Sequence, residues 1–126
     1  MADYVLDSDI LIDHLRGVRD YRSLLPSLDL ADSVGCSTIT VAEVLAGMKE
    51  NEEDKTRALL QSLVHYPVDT VVAEKAAELR RSYRRQGQAI AMDDLFIAAT
   101  VLLKRAVLVT GNPRHYPMVS SLVTPE

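Results

Sequence analysis

Short apolar runs of strand type alternate with helical patterns along the whole 126-residue chain, with no linker, repeat or low-complexity stretch between them. That order predicts a parallel sheet covered by helices. Tyr4-Val5-Leu6 reads as a first, central strand. Ser8 is placed to cap a helix running through Arg16, which Gly17 ends. Leu24, Leu25 and Leu28 predict a short second helix, Val34 to Ser37 a second strand, and Val41 to Met48 a third helix. Asn51 can cap the next helix, on which Ala58, Leu59 and Leu63 make an apolar face. Tyr66 to Asp69 is a weak strand that Pro67 places near a sheet edge. A long amphipathic helix from about Thr70 to Gln86 stops at Gly87, and the Asp93 helix runs to Lys104. Ala106 to Thr110 is the clearest strand, and Leu122 to Thr124 closes the sheet.

Acidic residues stand at the edges of these segments. In open parallel sheets, ligands bind beyond the carboxyl ends of the strands, where helix N-termini also point. Asp7 ends the first strand, Glu43 lies in the first turn of the helix after the second, and Asp93 and Asp94 open the helix before the fourth. Distance in sequence is therefore no obstacle to their meeting. Gathered carboxylates repel, so the cluster needs protons or cations. Oxygen ligands suit Mg²⁺ or Mn²⁺, the usual ions for cutting or moving phosphate esters.

The length fits one domain over residues 1–126, able to bury roughly two-thirds of its unfolded surface. With 48% apolar and 25% charged residues the composition is that of an ordinary globular protein. The lone Cys36 reads as a small buried residue in a reducing cytoplasm. No secretory leader is visible, and no apolar run approaches the roughly 18–20 residues of a membrane span. The net charge of −4 counts against generic nucleic-acid binding. Setting aside Asp7, Asp9, Glu43, Asp93 and Asp94 turns that charge to +1. An acidic hole filled by cations in such a body still admits a polyanion.

Each acid has a structural reading beside the chemical one. Asp7 could simply cap the following helix, although Ser8 already supplies a cap. Asp9, one position into the helix, serves equally as a partner for the helix dipole and as a carboxylate that holds a metal ligand or a water. Thr40-Val41-Ala42-Glu43 fits a capping box, with Glu43 reaching back to the Thr40 backbone. What favours a site is that Glu43 faces the same sheet edge as Asp7, and Gly47 would let its helix approach a neighbour. Asp93 and Asp94 point about 100° apart, so both cannot face one ion. Asp93 is the better N-cap and Asp94, above Ile97 and Ala98, the better ligand. Asn112 either offers its amide near the metal or turns the chain. Arg114 and His115 can meet a phosphate or form a plain surface loop. Arg80, Arg81, Arg84 and Arg85 make two i, i+4 basic rows, able to steer phosphates or to form a solvated face. His14 and His65 carry no metal spacing.

Together these residues resemble the PIN domain family, specifically the VapC toxins of bacterial and archaeal toxin–antitoxin pairs. Val5-Leu6-Asp7-Ser8-Asp9 is similar to the family's first motif, and Ser37 through Gly47 to the second, which carries Glu43. Asp93-Asp94-Leu95-Phe96-Ile97-Ala98-Ala99-Thr100 resembles the third. The family aspartate three residues before Ile-Ala selects Asp94. Val109 through Tyr116 is similar to the closing motif, except that Asn112 stands where many members carry a fourth acid. The resemblance implies a three-layer α/β/α sandwich around a parallel sheet and Mg²⁺- or Mn²⁺-dependent endoribonuclease activity on RNA. It also implies a homodimer and inhibition by a cognate antitoxin. Asp7 and Asp94 would hold one ion, and Glu43 would bind it or orient the attacking water. Neutral Asn112 would weaken a second metal position.

Three other readings compete. Asp7-Ser8-Asp9 after a strand is similar to the nucleophile pair of haloacid-dehalogenase phosphatases, but lacks the Gly-Thr that follows and has no room for a cap domain. A receiver domain would use Asp69 as phosphosite and want a lysine after the last strand. A PIN-like protein that binds RNA or antitoxin without cutting would share the fold.

Overall fold

The computed structural model describes residues 2–26 and 31–125. Five strands, β1 (Ala2–Leu6), β2 (Ala31–Ser37), β3 (Val64–Tyr66), β4 (Val107–Val109) and β5 (Leu122–Val123), form one sheet in the order β3-β2-β1-β4-β5. Every neighbouring pair is parallel. The helices are α1 (Ser8–Leu15), α2 (Thr38–Gly47), α3 (Glu53–Gln61), α4 (Thr70–Arg85) and α5 (Met92–Lys104). β1 is central, as the apolar pattern predicts; the weak edge strand expected at Tyr66 to Asp69 instead runs Val64–Tyr66, and Pro67 follows its end. A receiver domain would instead place β3 beside β1, in the order 2-1-3-4-5.

The period-2 alternation of the strands sorts side chains onto two faces. Val5 and Leu108 meet Val72, Ala76 and Leu79 of α4 and Leu95, Ala98 and Ala99 of α5. Tyr4, Leu6 and Val109 point the other way, to Ile10 and Leu11 of α1, Val44 of α2, and Leu59 and Leu60 of α3. The sheet is thus sandwiched between α1–α3 and α4–α5. Cys36 is fully buried, and burial pushes its thiol up to about 12. Gly17 and Gly87, at φ 74° and 78°, take the left-handed turns that end α1 and α4. None of the described helices is long and apolar enough to cross a membrane.

Several local expectations are corrected. The α1 cap is Asp7, not Ser8; the Asp7 carboxylate accepts from the Ser8 amide, and Ser8 is the first helical residue. α2 starts earlier than expected, and its cap is Ser37, whose Oγ accepts from the Ile39 amide. Thr40 is buried inside α2, so no capping box with Glu43 forms. Asn51 sits in a 3₁₀ turn (Glu50–Glu52) before α3, where Glu52 accepts from the Lys49 amide. The segment expected as a second helix is a 3₁₀ turn at Tyr21–Leu24, and Leu28 lies outside the described residues. Gly47 meets no neighbour and faces open space. Asp93 does not cap α5; Ala91 holds that position without a side-chain bond.

Candidate active site

β1 is the point where the chain changes direction across the sheet: β2 and β3 lie on one side, β4 and β5 on the other. Diverging connections leave a crevice beyond the carboxyl ends of such strands. Asp7 stands at its centre, 7% exposed, and both its oxygens are held. Oδ1 accepts from the Ser8 amide at 2.8 Å. Oδ2 accepts from Thr110 Oγ1 at 2.8 Å and from the Tyr116 hydroxyl at 3.0 Å.

The Tyr116 hydroxyl also lies 3.2 Å from Asp94 Oδ1. A single tyrosine thus ties the acid after β1 to the acid opening α5. His115 Nδ1 lies 3.3 Å from the other Asp94 oxygen. Burial raises the Asp94 pKa first, and the Asp93 charge adds to it, partly offset by the Tyr116 hydrogen bond. On the opposite side Ser8 Oγ donates to Glu43 Oε1 at 2.7 Å and lies 3.2 Å from Thr40 Oγ1. Glu43 therefore reaches across to α1 and not back to its own helix start. Its pKa is raised chiefly by burial, with nearby Asp93 adding to the rise and the Ser8 bond working against it. The two adjacent α5 acids do point apart: Asp93 faces Glu43, and Asp94 faces Tyr116.

Asp9 occupies the β4 side of the crevice. Its Oδ2 accepts from the Gly111 amide at 2.8 Å and from Asn112 Nδ2 at 3.1 Å. A Cβ on Gly111 would stand 2.5 Å from that oxygen, so any other residue there would push the Asp9 carboxylate aside. Asn112 also donates its backbone N–H to Thr110 Oγ1. It is a bracket for Asp9 and Thr110. Burial and the Asp7 charge raise the Asp9 pKa. Its Oδ1 is buried and, among the described residues, has no hydrogen-bond partner.

These observations bear on a metal. Among the described residues no three Asp, Glu, His or Cys converge as a ready-made ligand set: the Tyr116 hydroxyl stands between Asp7 and Asp94, and Glu43 is turned to the Ser8 hydroxyl. The donor chemistry nevertheless suits a hard divalent cation: all-oxygen, anionic, with several raised carboxylates and one orphaned buried oxygen. Tyr116, Thr110 and Ser8 have no assigned site role in the sequence reading. A buried tyrosine needs a partner for its hydroxyl, which is the one local hint that was available.

Fold and crevice together define a parallel α/β domain with an acidic centre at the strand-order switch. The chain belongs to the PIN domain family, which it matches over residues 4–118. It is 36% identical over 121 residues to Ribonuclease VapC10 of Mycobacterium tuberculosis, covering 96% of this chain and 91% of that one. Among solved structures, VapBC2 from Rickettsia felis bound to a promoter DNA fragment superposes with a TM-score of 0.83 at 25% identity, over 98% and 97% of the two chains. A toxin–antitoxin complex from Klebsiella pneumoniae gives a TM-score of 0.78 at 29% identity, over 100% and 98%.

Proposed function

We propose that residues 1–126 act as one PIN domain with metal-dependent endoribonuclease activity, the VapC-type toxin of a toxin–antitoxin pair. One observation carries the reading: Asp7 and Asp94 share the Tyr116 hydroxyl, and Glu43 is held by Ser8, the residue after Asp7, so acids from three separate elements border one crevice at the switch point. Asp7 and Asp94 would hold Mg²⁺ or Mn²⁺, and Glu43 would bind the same ion or orient the water. A divalent cation there supplies Lewis acidity toward the phosphodiester and acidifies water.

The chain's own groups do the rest. Thr110 and Tyr116 fix the Asp7 carboxylate, so little reorganisation is needed when the substrate arrives. Glu43, its pKa raised by burial, is suited to accept the proton of the attacking water. Water adds to phosphorus and the bond to the leaving oxygen breaks. Asp9, bracketed by Gly111 and Asn112, keeps the β4 loop against the site, and Asp93 supports Glu43. Arg114 and His115, both exposed, would meet the RNA phosphates. Asp7 as a phosphatase nucleophile is disfavoured, because both its oxygens already accept hydrogen bonds. Asp69 as a receiver phosphosite is disfavoured, because it caps α4 through the Val72 amide.

The antitoxin is assigned to a cleft of about 310 Å³ that starts at Glu43 and is lined by Ile12, Leu15, Val44, Gly47 and Met48. Leu25, by contrast, is core and offers no partner surface. A homodimer in the cytoplasm completes the proposal. The test is cleavage of a labelled structured RNA pool with Mg²⁺, with Mn²⁺ and with EDTA, beside Asp94→Asn. Metal-dependent cutting that the variant loses is expected. No cutting by folded, antitoxin-free protein with either metal would leave only the binding reading.

A further inference from the structure

Two clefts meet beside the active site. The inner one, about 430 Å³, is bounded by Asp94, Arg114 and His115 on one side and by Gln88, Ala89 and Ile90 on the other. The outer one, about 270 Å³, shares Gln88, Ala89 and Ile90 and ends on Arg80 and Arg84 of α4. The α4–α5 connection therefore borders both clefts, which lie one after the other away from the candidate catalytic acids.

The charge at the outer end is one-sided. Arg22, Lys55, Arg57 and Lys75 each lie against a carboxylate elsewhere on the surface. Among the described residues Arg80, Arg84 and Arg114, which line the two clefts, form no ion pair; nor do Arg81 and Arg85 beside them, or Arg16, Arg19, Lys49, Lys104 and Arg105 elsewhere. No acid lines the outer cleft. The C-terminal dipole of α4 explains Arg84 and Arg85, but its influence fades within the last turn and does not reach Arg80. Arg80 and Arg84 are one helical turn apart, a rise of about 6 Å. That spacing matches neighbouring phosphates of one strand better than a single compact anion. Apolar Ala89 and Ile90 between the cationic ends suit ribose and base faces.

Resting on the ribonuclease reading, we infer that the two clefts form one track for an RNA strand leaving the active site, with Arg80 and Arg84 holding phosphates at its outer end and Arg114 at its inner one. Each arginine releases counterions on binding, so the track adds salt-dependent affinity without sequence preference.

The experiment uses a fluorescein-labelled pool of random single-stranded RNA 12-mers, binding to Asp94→Asn protein and cleavage by otherwise unaltered protein. Arg80→Gln/Arg84→Gln is compared with Arg57→Gln, a surface arginine on α3 already paired with Glu53, and with Arg80→Lys/Arg84→Lys, which keeps charge if glutamine impairs folding. The expected result for the double glutamine variant is about tenfold weaker binding and higher KM, kcat within about twofold, and a salt slope reduced by about 1.4, roughly 0.7 per phosphate. Arg57→Gln should bind as the parent does, and the lysine pair should retain most of the affinity. Unchanged KM and salt slope in the glutamine pair, or an equal loss in Arg57→Gln, overturns the track while leaving the nuclease intact. Binding that depends on Arg80 and Arg84 without any metal-dependent cutting keeps the track and removes the nuclease. Absence of both binding and cutting removes both.

Discussion

The Tyr116 hydroxyl donates to Asp7 Oδ2 across 3.0 Å, joining residues 109 positions apart in the chain. The same hydroxyl stands 3.2 Å from Asp94 Oδ1. Tyr116 is 1% exposed, and burial followed by the charges of the two aspartates drives its pKa far upward, so it remains a neutral donor at any working pH. Tyr116→Phe should therefore keep the packing but release both acids. Expected are a loss of about 1–3 kcal/mol in stability and a roughly 10–100-fold loss in Mn²⁺ affinity. Chemical denaturation and calorimetric Mn²⁺ titration read the two separately. Unaltered Mn²⁺ binding would remove Tyr116 from the site.

Asp7→Asn and Asp94→Asn should each lower cleavage by about a thousandfold or more, the several kcal/mol that metal polarisation supplies. Their stabilities should differ. In Asp7→Asn the new side-chain NH₂ would face the Ser8 amide or the hydroxyls of Thr110 and Tyr116, all donors in this fold, whereas Asp94 is less buried and has fewer partners. Single-turnover cleavage beside circular-dichroism melts checks both; a cutting Asp94→Asn would refute its role.

Asn112→Asp would place a second carboxylate where an amide now donates to Asp9 at 3.1 Å. Without metal the like charges repel, and a melting temperature lowered by several degrees is expected. With Mn²⁺ the loss should reverse, and a second, weaker ion should appear in the titration. A melting temperature unaffected by the substitution in EDTA would mean that Asn112 and Asp9 are not in contact.

The pKa values of Asp9, Glu43 and Asp94 are all raised, each chiefly by burial. A raised acid binds its proton more readily folded than unfolded, so stability is fullest below the ordinary carboxylate range near pH 4 and falls as pH rises through the raised values. Asp20 works the other way, held at about 2 by Arg22, but both side chains are exposed and the effect is screened. Metal-free protein should consequently melt lower at pH 7 than at pH 5, and Mg²⁺ or Mn²⁺ should raise the melting temperature more at pH 7. Equal melting in EDTA and in Mn²⁺ at pH 7 would argue against cation binding by these acids.

Alternation of apolar runs with helical periods was enough to determine the parallel α/β class and the central place of Tyr4-Val5-Leu6, because those patterns repeat over a few residues; the edge strand was misplaced, since it runs Val64–Tyr66 and ends before Pro67. The position of Asp7, Glu43 and Asp94 at strand and helix edges was legible for the same reason. Which donor meets each acid was not. Ser8 looked like a cap and instead holds Glu43; Asp93 looked like a cap and instead faces Glu43; Asn112 binds Asp9; Tyr116 joins Asp7 to Asp94. Those pairings depend on β4 lying beside β1 and β2 on its other side, with Leu6 opposite Val109. Strand order and register are set by the packing of two whole faces, and no local window of sequence contains them.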